Sequence, residues 1–172
     1  SYWRSFETPV TVLRPFNTYG PRQSARAVIP TIITQIAAGA RQIRLGALAP
    51  TRDFNFVTDT CTAFLAIAGC DEALGQVVNA ASNFEISIGE TAALIAEVMN
   101  AEVEINTDEQ RLRPLGSEVN RLYGDNRRLR ELTGWEPAHG GRDGFRQGLA
   151  ITAQWFSDPA NLARYRPGSY AV

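Results

Sequence analysis

Leu13-Arg14-Pro15-Phe16-Asn17-Thr18-Tyr19-Gly20-Pro21-Arg22 follows directly on the β-rich run Val10-Thr11-Val12-Leu13. An apolar run that breaks at once into proline, asparagine and glycine reads as a buried strand delivering its C-terminal end to a loop. In open α/β sheets, ligands sit at such ends. Pro15 and Pro21 stiffen the loop, and Gly20 admits backbone angles that other residues avoid. Asn17, Tyr19 and Arg22 supply three kinds of hydrogen-bonding group. From these residues alone, a ligand loop and an ordinary turn after a strand are both open.

Outward from the loop, helical and strand patterns alternate. Val28, Ile29, Ile32, Ile33 and Ile36 recur at helical spacing, with Gly39 closing the segment. Gln42-Ile43-Arg44-Leu45 reads as a short strand, and Arg52 to Val57 alternates polar and apolar residues as a second. A helix capped by Thr58 or Asp59 follows, expected to turn Cys61, Phe64, Leu65 and Ala68 inward before Gly69 ends it. Gly75 to Asn79 has the apolar run of a buried strand that stops at a polar side chain, so Asn79 is a second candidate ligand contact. Ser87-Ile88-Gly89-Glu90 is a capping box, with Ile88, Ile95, Val98 and Met99 as the buried stripe of its helix. Glu102 to Ile105 alternates like a half-exposed strand. Asp125 or Asn126 should cap a short helix stopped by Gly134, and Trp135 should fill a corner of the core. A last long helix places Phe145, Leu149, Thr152 and Phe156 on one face and ends before Pro159. The fold class expected is α/β.

The chain has 172 residues, 44% hydrophobic and 20% charged, the composition of a soluble globular protein with a core of its own. The formal net charge is −1, with both signs interspersed, which argues against nucleic acid or an anionic membrane surface as a partner. No apolar run approaches the roughly 20 residues that span a bilayer, and no secretion signal opens the chain, so a cytoplasmic location is expected. The two cysteines, Cys61 and Cys70, fall in or beside an apolar helical segment and read as small hydrophobes.

Arg-Pro-x-Asn-x-Tyr-Gly-Pro-Arg, here Arg14 to Arg22, resembles the loop after the sixth Rossmann strand in NAD-dependent epimerases and dehydratases. These are the extended short-chain dehydrogenases that act on nucleotide sugars. Further matches follow in the family's order: Val28-Ile29-Pro30, Thr51-Arg52-Asp53-Phe54 with Val57 and Asp59, Arg113-Pro114 through Ser117-Glu118-Val119, and Leu132-Thr133-Gly134-Trp135. The chain looks most like the C-terminal portion of the nucleotide-sugar 4,6-dehydratases. The resemblance implies incomplete Rossmann-type sheet strands plus the smaller substrate-binding α/β subdomain. It also implies that residues 1–172 are one nucleotide-sugar-binding portion, the NAD-binding Rossmann half being absent. In the complete enzyme, bound NAD would take hydride from C4, water would leave across C5 and C6, and hydride would return to C6. An epimerase of the same family is the alternative, and a non-catalytic binding or assembly module is another.

Arginine is the residue type to follow, because a nucleotide diphosphate needs planar, permanently charged donors that bind two oxygens together. Arg22, Arg52 and Arg113 each stand beside loop-forming residues. In the resembled family the arginines of the Arg-Asp-Phe and Arg-Pro motifs reach the diphosphate, which maps onto Arg52 and Arg113. Glu118 maps onto the glutamate that accepts from the nucleotide ribose. By the same resemblance, Asn17 contacts the sugar or phosphate, and Pro15 and Phe16 border the nicotinamide. Arg44 and Leu45 stand where the base packs, with Val28 lining that pocket. The family's Gly-x-x-Gly-x-x-Gly loop and Tyr-x-x-x-Lys dyad have no match here, and all seventeen basic residues are arginine. Arginine does not replace a lysine that must lower a neighbouring pKa. No catalytic residue is therefore assigned, and the isolated chain is expected to bind no NAD and to be silent. Measurable dehydratase turnover with added NAD would contradict that.

Other signals point to structure. Gly140-Gly141-Arg142-Asp143-Gly144 has no strand before it and a helical pattern after it, so it reads as the opening of a helix, not a phosphate loop. His139, the single histidine, lacks the spacing of a zinc site, and no metal is expected. Asp71-Glu72 and Asp108-Glu109 are adjacent carboxylates that point apart on a helix or strand. A half-sheet exposes apolar surface, so self-association into a homo-oligomer is expected.

Overall fold

A computed structural model describes residues 2–108 and 119–165. It is a mixed α/β chain that divides into two units. Arg113 and Glu118 lie outside the described residues.

The first unit comprises the chain up to Thr18, Asp53–Phe84 and Tyr123–Phe145. It holds α1 (Tyr2–Phe6), β1 (Val12–Pro15), α3 (Val57–Ala68), a 3-10 turn (Asp71–Ala73), β5 (Val77–Ala80) and α5 (Arg127–Thr133). β1 and β5 pair in parallel, with Val12 opposite Val77, Leu13 opposite Val78, Arg14 opposite Asn79 and Pro15 opposite Ala80. Parallel strands need a crossover, and α3 supplies it. The covered face of the pair meets Ala63, Ile67, Leu129 and Trp135 in one apolar cluster. Trp135 also donates its indole N–H to Thr62 Oγ1 at 3.0 Å, so the corner-filling ring keeps its polar atom satisfied.

Two expectations change here. β1 runs to Pro15 and the next strand, β2, is Asn17–Tyr19, so the expected loop is largely extended backbone. In α3 the inward residues are Asp59, Thr60, Ala63 and Ile67, whereas Phe64 is 48% and Leu65 75% exposed. Cys61 is exposed too. From Ala63 on the helix is apolar all round, so periodicity left two faces open, and the polar partners of Asp59 and Thr60 select the other one. It also starts at Val57 without a side-chain cap.

The second unit comprises Tyr19–Arg52, the described part of Glu85–Leu122, and the chain from Arg146 on. It contains α2 (Val28–Ala37), β3 (Gln42–Leu45), β6 (Glu85–Ser87), α4 (Ile88–Val98), β7 (Glu104–Thr107) and α7 (Pro159–Leu162). β3 and β7 are parallel, Ile43 facing Ile105 and Leu45 facing Thr107 in register. α2 packs on α4, burying Ile29, Ile32, Ile33 and Ile36 on one and Leu94 and Ile95 on the other. The capping box is as read: Glu90 N–H donates to Ser87 Oγ at 3.1 Å and Ser87 N–H to Glu90 Oε2 at 3.0 Å. Val98 and Met99 are only half-buried, and Thr91, Ala92 and Leu94 complete the stripe instead. The expected strand at Glu102 lies two residues further on, where it pairs with β3.

β4 (Thr51–Phe56) takes the centre of a third sheet, ordered β2-β4-β6. α6 (Gly141–Ser157) opens at the glycine-rich stretch and buries Phe145, Leu149, Thr152 and Phe156, the face its spacing predicts. Asp158 caps α7, its carboxylate accepting from Ala160 N–H at 2.8 Å.

Candidate functional site

In the first unit the strand-end residues gather. Phe16 N–H donates to Ala80 O at 2.9 Å, which fastens the residue after β1 to the end of β5. Pro15, Phe16 and Asn79 therefore stand together at the carboxyl ends of two parallel strands, and Asn17 follows in β2. Phe16 is half-buried against Gly124, a residue with no role in the sequence reading. The Phe16 carbonyl accepts from Thr18 Oγ1 at 3.2 Å, and Thr18 and Thr60 share a hydroxyl contact at 3.0 Å. Asn55 Nδ2 donates to Thr60 Oγ1 at 2.9 Å. Hydrogen bonds thus hold both polar groups of the Phe16 backbone.

Beneath them lies a carboxylate that the sequence offered only as a motif letter. Asp53 is 0% exposed, and its Oδ1 accepts from Ser82 N–H at 2.9 Å and Ser82 Oγ at 2.7 Å. Its Oδ2 accepts from Gly124 N–H at 3.2 Å. Burial pushes its pKa up, opposed by the hydrogen bonds from Ser82 and Gly124. Asn126 does not cap α5 with its side chain. Its Nδ2 donates to Ala81 O at 2.8 Å, and its Oδ1 accepts from Asn83 at 2.9 Å. His139 is tied to Asp59 twice, through its N–H at 2.9 Å and Nδ1 at 3.1 Å. These contacts join residues 29 to 80 positions apart, a range over which periodicity carries no signal.

In the second unit Arg52 is half-buried, and its Nη1 donates to Thr51 O at 2.8 Å and to Val119 O at 2.6 Å. Main-chain bonds from Thr51 N–H to Asn120 O and from Leu122 N–H to Thr51 O lay residues 120–122 along the start of β4. Glu85, from β6, receives Arg121 Nε and Nη2, each at 2.8 Å, and Thr51 Oγ1 at 2.5 Å. The Arg121 hydrogen bonds, then Thr51, hold the Glu85 carboxyl down at about 2. Arg22 is exposed at a left-handed φ of 68° after Pro21. Arg44 is exposed on β3, where its N–H donates to Gln35 Oε1 at 3.2 Å. The Leu45 side chain belongs to the core at 3% exposure, and Val28 is half-buried at the first turn of α2. Among the described residues no cluster of three metal-ligating side chains occurs, and no helix is long and apolar enough to cross a membrane.

The family model for GDP-mannose 4,6 dehydratase matches residues 1–148. The chain is similar to GDP-6-deoxy-D-mannose reductase of Pseudomonas aeruginosa, at 37% identity over 133 residues, 74% of this chain and 43% of that protein. Its fold is similar to dTDP-glucose 4,6-dehydratase of Bacillus anthracis, solved in complex with NAD, with a TM-score of 0.77 and 27% identity over 92% of this chain and 48% of that one. It is also similar to UDP-N-acetylglucosamine 4-epimerase of Methanobrevibacter ruminantium, solved in complex with UDP-N-acetylmuramic acid. There the TM-score is 0.78 and the identity 25%, over 95% of this chain and 49% of that one. The chain spans about half the length of the relatives it matches.

Proposed function

This chain belongs to the GDP-mannose 4,6 dehydratase family, among the extended short-chain dehydrogenases, and from that premise we propose that it is the nucleotide-sugar-binding portion of an NAD-dependent nucleotide-sugar 4,6-dehydratase. The observation that carries the reading is Arg52. Its guanidinium is oriented through Nη1 by the carbonyls of Thr51 and Val119, which sets the plane of a permanently charged group of the kind that meets a diphosphate. Arg22 and Arg113 add charge, Glu118 takes the ribose hydroxyls, and Arg44 and Val28 flank the base, with the Leu45 side chain packed in the core behind them. Asn17 and Asn79 meet the sugar. Binding energy collected at the nucleotide holds the distant reacting carbon in place.

For NAD, the residues of this chain offer one edge, Pro15 and Phe16. They do not fit a whole dinucleotide: β1 passes into β2 rather than into a helix N-terminus, and the sequence has no lysine to serve beside a catalytic tyrosine. The 172-residue chain alone therefore binds no NAD and is catalytically silent. An epimerase is the runner-up, supported by the likeness to the Methanobrevibacter enzyme. A reductase reading has the 37% identity to the Pseudomonas protein in its favour.

Calorimetric titration with UDP-glucose, GDP-mannose and dTDP-glucose tests the proposal. One of the three should bind, and Arg52→Met should weaken it about thirtyfold or more, the loss expected on removing a charged partner of a phosphate. No binding of any probe, or equal binding by the variant, refutes the reading.

The same proposal places the protein in the cytoplasm as a homo-oligomer. Tyr2, Phe6, Val10, Val12 and Val77 of the first unit are all exposed, apolar side chains that a second copy would cover. Light scattering should give a mass above 18.9 kDa at high concentration, and a clean monomer would count against the oligomer.

A further inference from the structure

We propose that Glu85 and Arg121, linked through Thr51, are positioning residues for Arg52: they touch no ligand themselves but fix the carbonyl that orients the Arg52 guanidinium. The inference rests on the reading of Arg52 as the diphosphate group and goes beyond it, since neither residue belongs to a matched motif.

The geometry is a closed circuit within the second unit. Arg52 takes its orientation from two carbonyls, Thr51 O and Val119 O. Thr51 O belongs to the residue next door and moves with β4. Val119 O belongs to a segment from a different part of the sequence, and its place depends on how residues 119–122 are held. Two main-chain bonds to Thr51 hold them, and Thr51 O is shared by Leu122 N–H and Arg52 Nη1. Among the described residues, that segment meets β4 at the isolated bridge between Thr51 and Arg121. The bidentate pair adds a side-chain tie at that bridge. Arg121 closes both its Nε and Nη2 on Glu85, and Glu85 Oε1 also takes the Thr51 hydroxyl, so one carboxylate pins both partners of the bridge.

The side chain of Arg121 is 68% exposed and that of Glu85 24%, so as a stability element the pair is weak. Fork-to-fork geometry nevertheless restricts direction more than a point contact does. Its effect should fall on where Val119 O sits, and through it on Arg52.

A double-mutant cycle by calorimetry tests this on the 172-residue chain, with whichever of UDP-glucose, GDP-mannose or dTDP-glucose the unmodified protein binds. Arg121→Met should raise Kd about fivefold when Arg52 is present and leave it unchanged in the Arg52→Met background, because coupled residues are non-additive. Binding of the corresponding free nucleoside, which has no diphosphate, should be unaffected. The exchange Glu85→Arg with Arg121→Glu should recover most of the loss. An equal factor in both backgrounds, or no change in either, overturns the proposal.

Should no probe bind, the reading of Arg52 falls while the circuit is still decided by hydrogen exchange. Arg121→Met should then speed exchange of the Thr51 and Leu122 amides with no comparable change in the helices. Unchanged amides would overturn it.

Discussion

Asp53→Ala is expected to destabilise the protein by about 3–5 kcal/mol, the range for breaking a buried, multiply bonded charged group. The carboxylate accepts from Ser82 N–H, Ser82 Oγ and Gly124 N–H, so alanine strands three donors in a site from which water is excluded. Asp53→Asn should cost less, because its amide oxygen still accepts from Ser82 while its NH2 opposes the Gly124 N–H. The pair of variants also separates hydrogen bonding from charge. Burial raises the folded carboxyl above its ordinary 3.8, so over the window between the two values the folded state holds a proton that the unfolded chain has lost. Stability from this group is complete below the unfolded value and is lost as pH rises through the folded one. Urea unfolding from about pH 4 to pH 7 should show that decline in the unmodified protein and a flatter profile in Asp53→Asn. An alanine variant within about 1 kcal/mol of the parent would mean that Asp53 is no structural node.

The second large effect belongs to Gly124. A Cβ built there would lie 2.2 Å from Ala81 Cβ and 3.1 Å from two ring carbons of Phe16. Ala81 is fully buried and has no flexible end to swing aside, so Gly124→Ala must push backbone apart. A loss of about 2–3 kcal/mol is expected, at the upper end for overpacking. The Phe16 amide, which donates to Ala80 O at 2.9 Å, should exchange faster in the variant. Adding Ala81→Gly returns the missing space, and part of the stability should return with it despite the backbone-entropy cost of glycine. A double variant weaker than the single one would show that the contact is not the cause.

These two residues illustrate what the sequence could and could not disclose. Elements with local causes were legible: the Ser87–Glu90 capping box, the isoleucine face of α2 and the apolar face of α6 each lie within a few turns of one another. The α3 face was misread because Cys61, Phe64 and Leu65 are as apolar as Ala63 and Ile67. The deciding partner of Asp59, His139, lies 80 residues away. The same distance hid Asp53, whose motif position was plain but whose partners Ser82 and Gly124 were not. In the proposed binding site the motif residues were legible as types, arginines beside loop formers, but the support was not. Thr51, Glu85 and Arg121 come from three separate segments, and only the folded chain brings them together.

Arginines from separate motifs share one diphosphate in the proposed site. Nuclear magnetic resonance of the chain with isotope-labelled arginine resolves it, because each of the seventeen guanidinium groups reports for itself as ligand is added. With the sugar nucleotide that binds, the Nε–H signals of Arg22, Arg52 and Arg113 are predicted to move together with a single midpoint, while the arginines of α5 stay still. Titration in which the Arg52 signal holds its place as the ligand saturates would contradict the central claim.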